Sequence, residues 1–314
     1  MLIGIFKSNQ KIVNVLTLLM VVAFWLPTLF VDSGYKLTNV LFSIHKWIDV
    51  TLSVLLITIQ SVYLNRIVNE YKLTKNNSHL TSLIFLVLNC CFVFLLNFNQ
   101  LIVANTFIIM AVHRLLKMYN VKSSFALLFN SGLLISIASI IYFPCVIYFV
   151  LMWIVLIYIT TPVWRDFIIS LLGFSLPFIY FVTYKYVFGS LDDLMVSDYL
   201  VNIFNVHFSQ LSLFQKILSI FIVLIGLFAF AGLLQTLGKS VVRVRKMLIV
   251  VFLMFLLGIA TLFLNQYDYM ATFVMVSIPL SVIIANYFLN LKKQWFAELV
   301  FLCLMITIIL SYFS

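Results

Sequence analysis

Nine acidic side chains stand in this 314-residue chain, and their positions limit the chemistry open to it. Asp32 directly follows an apolar run in LPTLFVDSGYK. Asp49 opens another in IHKWIDV, beside His45 and Lys46. Asp268 sits in the short polar break NQYDY, and Asp192, Asp193 and Asp198 lie in a longer break with His207 nearby. A carboxylate at a membrane–water boundary can act as a general base or hold a divalent cation. It can equally cap a helix, as Asp198 could for YLVNIF, or mark one side of a membrane. Asp32 and Asp49 are the catalytic candidates; Asp192, Asp193, Asp198 and Asp268 form an outer acidic set. The segment LLNFNQLIVANTFIIMAVHRLL crowds Asn97, Asn99, Gln100, Asn105 and Thr106 into apolar surroundings. Amides there can join helices or bind a polar headgroup, so Asn97, Asn99 and Gln100 are lipid- or ligand-binding candidates. Lys185, flanked by Tyr184 and Tyr186, could hold a lipid phosphate or anchor a helix at an interface.

Other residues are read more simply. Asp166 follows Arg165 and is expected to cap the N-terminus of the next helix. Gly173, Ser175 and Pro177 are expected to permit close helix packing and a bend. The basic cluster GKSVVRVRKM, with Lys239, Arg243, Arg245 and Lys246, serves topology or contacts anionic lipid or an acidic partner. Cys90, Cys91, Cys145 and Cys303 have no metal-ligand spacing, and no metal site or disulfide framework is legible. Neither a Gly-rich phosphate loop nor G-x-S-x-G nor H-E-x-x-H occurs.

The elements that must carry these residues follow from composition. The chain is 65% hydrophobic and only 9% charged. A soluble domain runs at roughly half apolar and a quarter charged, and a sphere of this size could not hide the surplus. A soluble enzyme, a disordered chain and a disulfide scaffold are excluded. Eleven apolar runs of spanning length are expected, near 12–31, 48–65, 80–97, 100–117, 124–142, 144–161, 166–184, 216–237, 247–264, 270–290 and 296–313. Pro144 makes 124–161 either a tight hairpin or a broken helix. The first run has no small-residue cleavage site after it and reads as an uncleaved helix. The segment 185–215 places Leu194, Met195, Tyr199, Leu200, Ile203 and Phe204 at helix-like spacing, so short interfacial outer helices are expected there.

The positive-inside rule orients the bundle. With the N-terminus inside, 15 basic and three acidic residues fall on the inner face, against four basic and six acidic outside. The expected fold is therefore all-α: a polytopic transmembrane bundle of about eleven helices, N-in and C-out, forming one integral membrane domain over 1–314. The net charge of +10 becomes a topology signal, and a nucleic-acid partner is not implied.

NFNQLIVANTF followed by HRLLKMY, and the run SGLLISIASIIYFPCVIYFVLMWIVLIYITTPVWRDFIISLLGFSLPFIYFVTYKYVFG, carry a resemblance over the central third of the chain. It resembles an uncharacterised polytopic inner-membrane family of Bacteroidota and, more distantly, the glycosyltransferases of the GT-C superfamily. The first likeness implies a multi-pass protein of the bacterial inner membrane. The second implies sugar transfer from a polyprenyl-phosphate donor, with a catalytic acid in the first outer loop. The matching residues are Asp32 and, less well, Asp49. The paired carboxylates of that loop and an outer soluble domain are absent, which points toward a non-catalytic relative.

Three functions stay open. The leading one is a non-catalytic subunit or assembly factor of an envelope complex, with membrane lipids and other envelope proteins as partners and no evident cofactor. A transferase would add a divalent metal at the outer carboxylates. A lipid or solute carrier needs ionisable groups deep in the bundle, whereas Asn89, Asn130 and Asn286 are uncharged.

Overall fold

The computed structural model describes residues 6, 12–30, 46–92, 96, 99–120, 125–188, 212–263, 269–291 and 294–312. Among these, eleven α-helices and no strands are found. They are α1 (Ile12–Phe30), α2 (Lys46–Glu70), α3 (Leu80–Asn89), α4 (Gln100–Lys117), α5 (Phe125–Ile141), α6 (Ile147–Ile159), α7 (Trp164–Phe188), α8 (Leu213–Lys239), α9 (Val242–Ala260), α10 (Tyr269–Asn290) and α11 (Gln294–Tyr312). Six stretches within them are long and apolar enough to cross a membrane: Trp47–Glu70, Gln100–Lys117, Trp164–Phe188, Leu213–Lys239, Thr272–Asn290 and Trp295–Tyr312. The protein is a helical membrane protein. The expected outer helices at 185–215 fall largely on residues outside those described.

The chain packs as two compact units. One comprises 1–102, 208–251 and 277–314; the other comprises 103–207 and 252–276.

In the first unit, Val21, Trp25, Ile57, Leu86, Cys90, Leu96 and Ile102 form a buried cluster, with Phe24 and Tyr312 packed against it. Phe24 and Tyr312 meet edge to face at 6.4 Å. Helix α3 departs from the expected 80–97 span. It has ten residues, all buried, about 15 Å of helix. Irregular backbone at membrane depth persists only where protein satisfies its polar groups. Here the end of α11 supplies them. The Tyr312 hydroxyl donates to the Cys90 carbonyl, and Ser311 Oγ donates to the Cys91 carbonyl at 3.4 Å. Asn89 Nδ2 donates to Phe85 O and reaches Ser277 Oγ at 3.4 Å. Gln60 Nε2 donates to Ile102 O at 2.6 Å.

In the second unit, α5 and α7 approach backbone to backbone. A Cβ on Gly132 would stand 2.8 Å from Ser170 O, and one on Gly173 would collide with the Phe129 backbone. The expected role of Gly173 in close packing is met. Phe149, Trp153, Phe167 and Phe174 stack beside this crossing, and Trp153 Nε1 donates to Ser170 Oγ at 3.0 Å. The 124–161 region is a pair of helices, joined through extended Tyr142 and a 3-10 turn, Phe143–Val146, that Pro144 opens. Pro279, inside α10, leaves the Met275 carbonyl without its helical donor. The Tyr148 hydroxyl lies 3.5 Å from that oxygen, and Asn105 Nδ2 bonds Val274 O at 3.1 Å.

Candidate functional site

Three turns of the first unit, those after α2, α8 and α10, are the ones that charge asymmetry assigns to the inner face. The structure gathers them around one cavity of about 1100 Å³. The α2 end contributes Lys72, Leu73, Thr74 and Lys75. The α8–α9 turn contributes Thr236, Lys239, Ser240, Val241, Val244 and Leu248. The α10–α11 turn contributes Asn286, Tyr287, Asn290, Leu291, Trp295 and Phe296. A volume of this order suits a headgroup with part of its chain, since small-molecule sites run roughly 300–1,000 Å³.

Each wall has a local cause. Helix α2 closes in a Schellman motif: Leu73 N–H donates to Val68 O at 3.0 Å, and Lys72 N–H to Asn69 O at 3.3 Å. The residue in the left-handed position is Lys72, at φ 52°. Glycine is the default there, because a Cβ crowds the following carbonyl at a cost of roughly 1–2 kcal/mol. A lysine at the cavity mouth is thus held in a conformation that its side chain opposes. The next loop is tied back to α2 by Asn69, which accepts from Ser78 N–H at 3.3 Å and donates to Ser78 O at 3.2 Å. Burial pushes the neighbouring Tyr71 phenol up to about 12; Glu70 adds to the rise and Arg243 opposes it. Tyr71 therefore stays a neutral hydroxyl.

The α8 and α10 walls meet through Gly232, where an added Cβ would stand 2.7 Å from the Tyr287 ring. Buried Asn286 donates from Nδ2 to Thr236 Oγ1 at 3.3 Å. Asn290 Nδ2 donates to Asn286 O and Oδ1, both at 2.9 Å. These amides make a polar wall, and Trp295 and Phe296, edge to face at 6.2 Å, make an aromatic one. Three lysines and no carboxylate are among the lining residues. The electrostatics of the cavity favour an anion, while Val241, Val244, Leu248 and Leu291 offer apolar surface to a hydrocarbon chain.

Of the catalytic, ligand-binding and acidic candidates read from the sequence, those among the described residues, Asp49, Asn99, Gln100 and Lys185, do not line this cavity. Asp32, Asn97, Asp192, Asp193, Asp198 and Asp268 fall outside the described residues. Asp49 sits half-buried in the first turn of α2, and its backbone carbonyl accepts from Ser53 Oγ at 2.7 Å. Asn99 caps α4: its Oδ1 accepts from Ile102 N–H at 3.0 Å, and its Nδ2 is buried with no partner among the described residues. Gln100 begins the same helix, half-buried. Lys185 stands in the last turn of α7 in the other unit, half-buried between exposed Tyr184 and Tyr186. No hydrogen bond among the described residues joins these candidates to one another.

Asp166 caps α7 as expected. Its Oδ2 accepts from Val163 N–H at 2.9 Å while its own N–H donates to Val163 O. Arg165 instead lies over the Trp164 ring at 5.8 Å. Among the described residues, no three His, Cys, Asp or Glu side chains gather closely enough to hold a metal.

In the sequence, Lys72 and Lys75 read as topology markers and Lys239 as part of a basic cluster that sets topology or contacts anionic lipid or an acidic partner; neither reading joins the three around one cavity. A signal was present. Thr236 and Lys239 are three residues apart and Asn286 and Asn290 four apart, so each pair shares a helix face at the inner end of its helix. No family model, no curated protein and no solved structure matches the chain.

Proposed function

We propose that this protein is a non-catalytic, lipid-holding subunit of a membrane assembly in the bacterial inner membrane, which binds an amphiphile in the cavity at the inner ends of α2, α8 and α10. The cavity carries this reading: about 1100 Å³, with lysines and amides on one side and aromatic and aliphatic side chains on the other. Such a lining suits a molecule with a polar head and an apolar chain. The polar groups buried in the helices point the same way. Asn89, Asn105 and Gln60 bond other helices, which is the work of fastening helices and not of moving ions. The transferase reading rests on Asp32, which is outside the described residues, and on Asp49, which is not among the residues that line the cavity.

Purification in mild detergent followed by native mass spectrometry tests the proposal. A bound amphiphile at one per chain is expected, accompanied by stoichiometric protein partners. Half-buried Val244 lines the cavity, so Val244→Trp obstructs part of it and is expected to weaken amphiphile retention while helix content and melting temperature hold. A lipid-free wild-type protein, or full retention by Val244→Trp, would overturn the reading.

A further inference from the structure

We infer that the group recognised in this cavity is a phosphate ester, held by Lys72, Lys75 and Lys239; the inference rests on the amphiphile-binding reading above. Positive charge at the inner end of a membrane helix is expected from topology alone, so the lysines by themselves decide nothing. Three further features set these apart. First, Lys72, Lys75 and Lys239 come from two separate turns yet line one cavity without a carboxylate among its lining residues. A lone carboxylate headgroup calls for one cation, whereas a phosphomonoester carries about −1.5 to −2 and three acceptor oxygens. Ammonium groups act as compact point charges that several phosphate oxygens can share. Second, Lys72 occupies the left-handed position of the α2 terminus, at φ 52°. Glycine would be more stable there, so the lysine stands at the cavity against a backbone cost. Third, hydroxyl and amide side chains stand beside the lysines. Thr236, Ser240, Asn286 and Asn290 line the same cavity. Thr236 and Ser240 donate to Leu233 O and Leu237 O, and Asn290 Nδ2 to Asn286. Asn286 Nδ2 gives one of its two hydrogens to Thr236, so its second hydrogen is the amide donor that can complete the hydrogen bonding of a phosphate oxygen.

The aromatic wall supplies the other half of the ligand. Trp295 and Phe296 are exposed at the start of α11, the depth at which an indole ring sits between headgroups and chains. A lipid phosphate and a soluble phosphate compound share the recognised chemistry, and competition separates them.

The experiment uses the full-length protein in phosphatidylcholine nanodiscs doped with phosphatidic acid or with diacylglycerol. Inorganic phosphate is the soluble competitor, and native mass spectrometry reads retained ligand. Phosphatidic acid is expected to be retained about a hundredfold over diacylglycerol. If inorganic phosphate leaves it in place, the source is a lipid headgroup; if phosphate displaces it, the source is a free phosphate compound. Both results support phosphate recognition. Lys72→Gln, Lys75→Gln and Lys239→Gln should each weaken retention about fivefold, and the triple change about a hundredfold. Lys72→Gly relieves the backbone and should fold at least as well as the wild type, so its loss of retention reports charge and not misfolding. Equal retention of phosphatidic acid and diacylglycerol overturns the phosphate assignment while amphiphile binding stands. Retention that is unchanged in the triple variant also overturns it. Retention of neither amphiphile overturns both readings.

Discussion

At the scale of single residues, Lys72 separates stability from function. Its left-handed backbone costs roughly 1–2 kcal/mol for a residue with a Cβ. Glycine removes that cost but adds roughly 0.5–1 kcal/mol of unfolded-state entropy. Lys72→Gly is therefore expected to stabilise the protein by about 0.5–1 kcal/mol, read as a higher melting temperature in detergent, while weakening ligand retention. His79 gives a pH-dependent counterpart. Desolvation lowers its pKa below the ordinary 6.5, while its Nδ1 lies 3.3 Å from Asn65 Nδ2. The folded state thus resists protonation more than the unfolded chain does. Stability is present in full above pH 6.5 and is lost as pH falls through 6.5 toward the folded value. Melting temperature should drop between pH 7.5 and pH 5, and His79→Gln should flatten that drop; an identical pH profile in the variant would refute the assignment.

At the scale of elements, two features are tested by substitution. The α5–α7 crossing leaves no room for side chains at Gly132 or Gly173. Gly173→Val forces the two backbones apart and should cost more than about 3 kcal/mol, above the usual overpacking range because the obstacle is backbone. The measure is folded yield and melting temperature. Asp166 is a cap and not an acid in waiting, because its carboxylate accepts from Val163 N–H at the start of α7. Asp166→Asn keeps that acceptor and should be near neutral, whereas Asp166→Ala should cost about 1 kcal/mol. The cap was legible from WRD at the start of an apolar run. The short α3 was not: LTSLIFLVLNCCFVFLL reads as one continuous apolar span. It stops at Asn89 because hydroxyls from Ser311 and Tyr312 take the carbonyls of Cys91 and Cys90, and partners about 220 residues away leave no local mark.

At the scale of the whole molecule, the charge asymmetry predicts one sidedness for Lys75 and Lys239. Both side chains are exposed, Lys75 in the loop after α2 and Lys239 at the end of α8, while Cys90, Cys91 and Cys145 are buried and Cys303 is exposed. In a Cys303→Ser background, Lys75→Cys and Lys239→Cys should react with a membrane-impermeant maleimide in inverted vesicles and stay unlabelled in intact cells. Labelling from opposite sides would break the topology.

The division between sequence and tertiary structure follows from what each property depends on. Helical class, membrane solvent, eleven helices and most boundaries were determined by composition and local periodicity, because backbone satisfaction in lipid is a local demand. The cap at Asp166 was local too, whereas Asn99, read as a ligand-binding candidate, proves to cap α4. The cavity was decided only by tertiary structure. Lys72, Lys239 and Asn290 are spread over more than two hundred residues of chain, and nothing in the neighbouring sequence links them. Packing of α8 against α10 through Gly232 and the left-handed end of α2 place them around one space. Charge at a helix end is a sequence property; a concave set of charges needs helices from distant parts of the chain to end side by side.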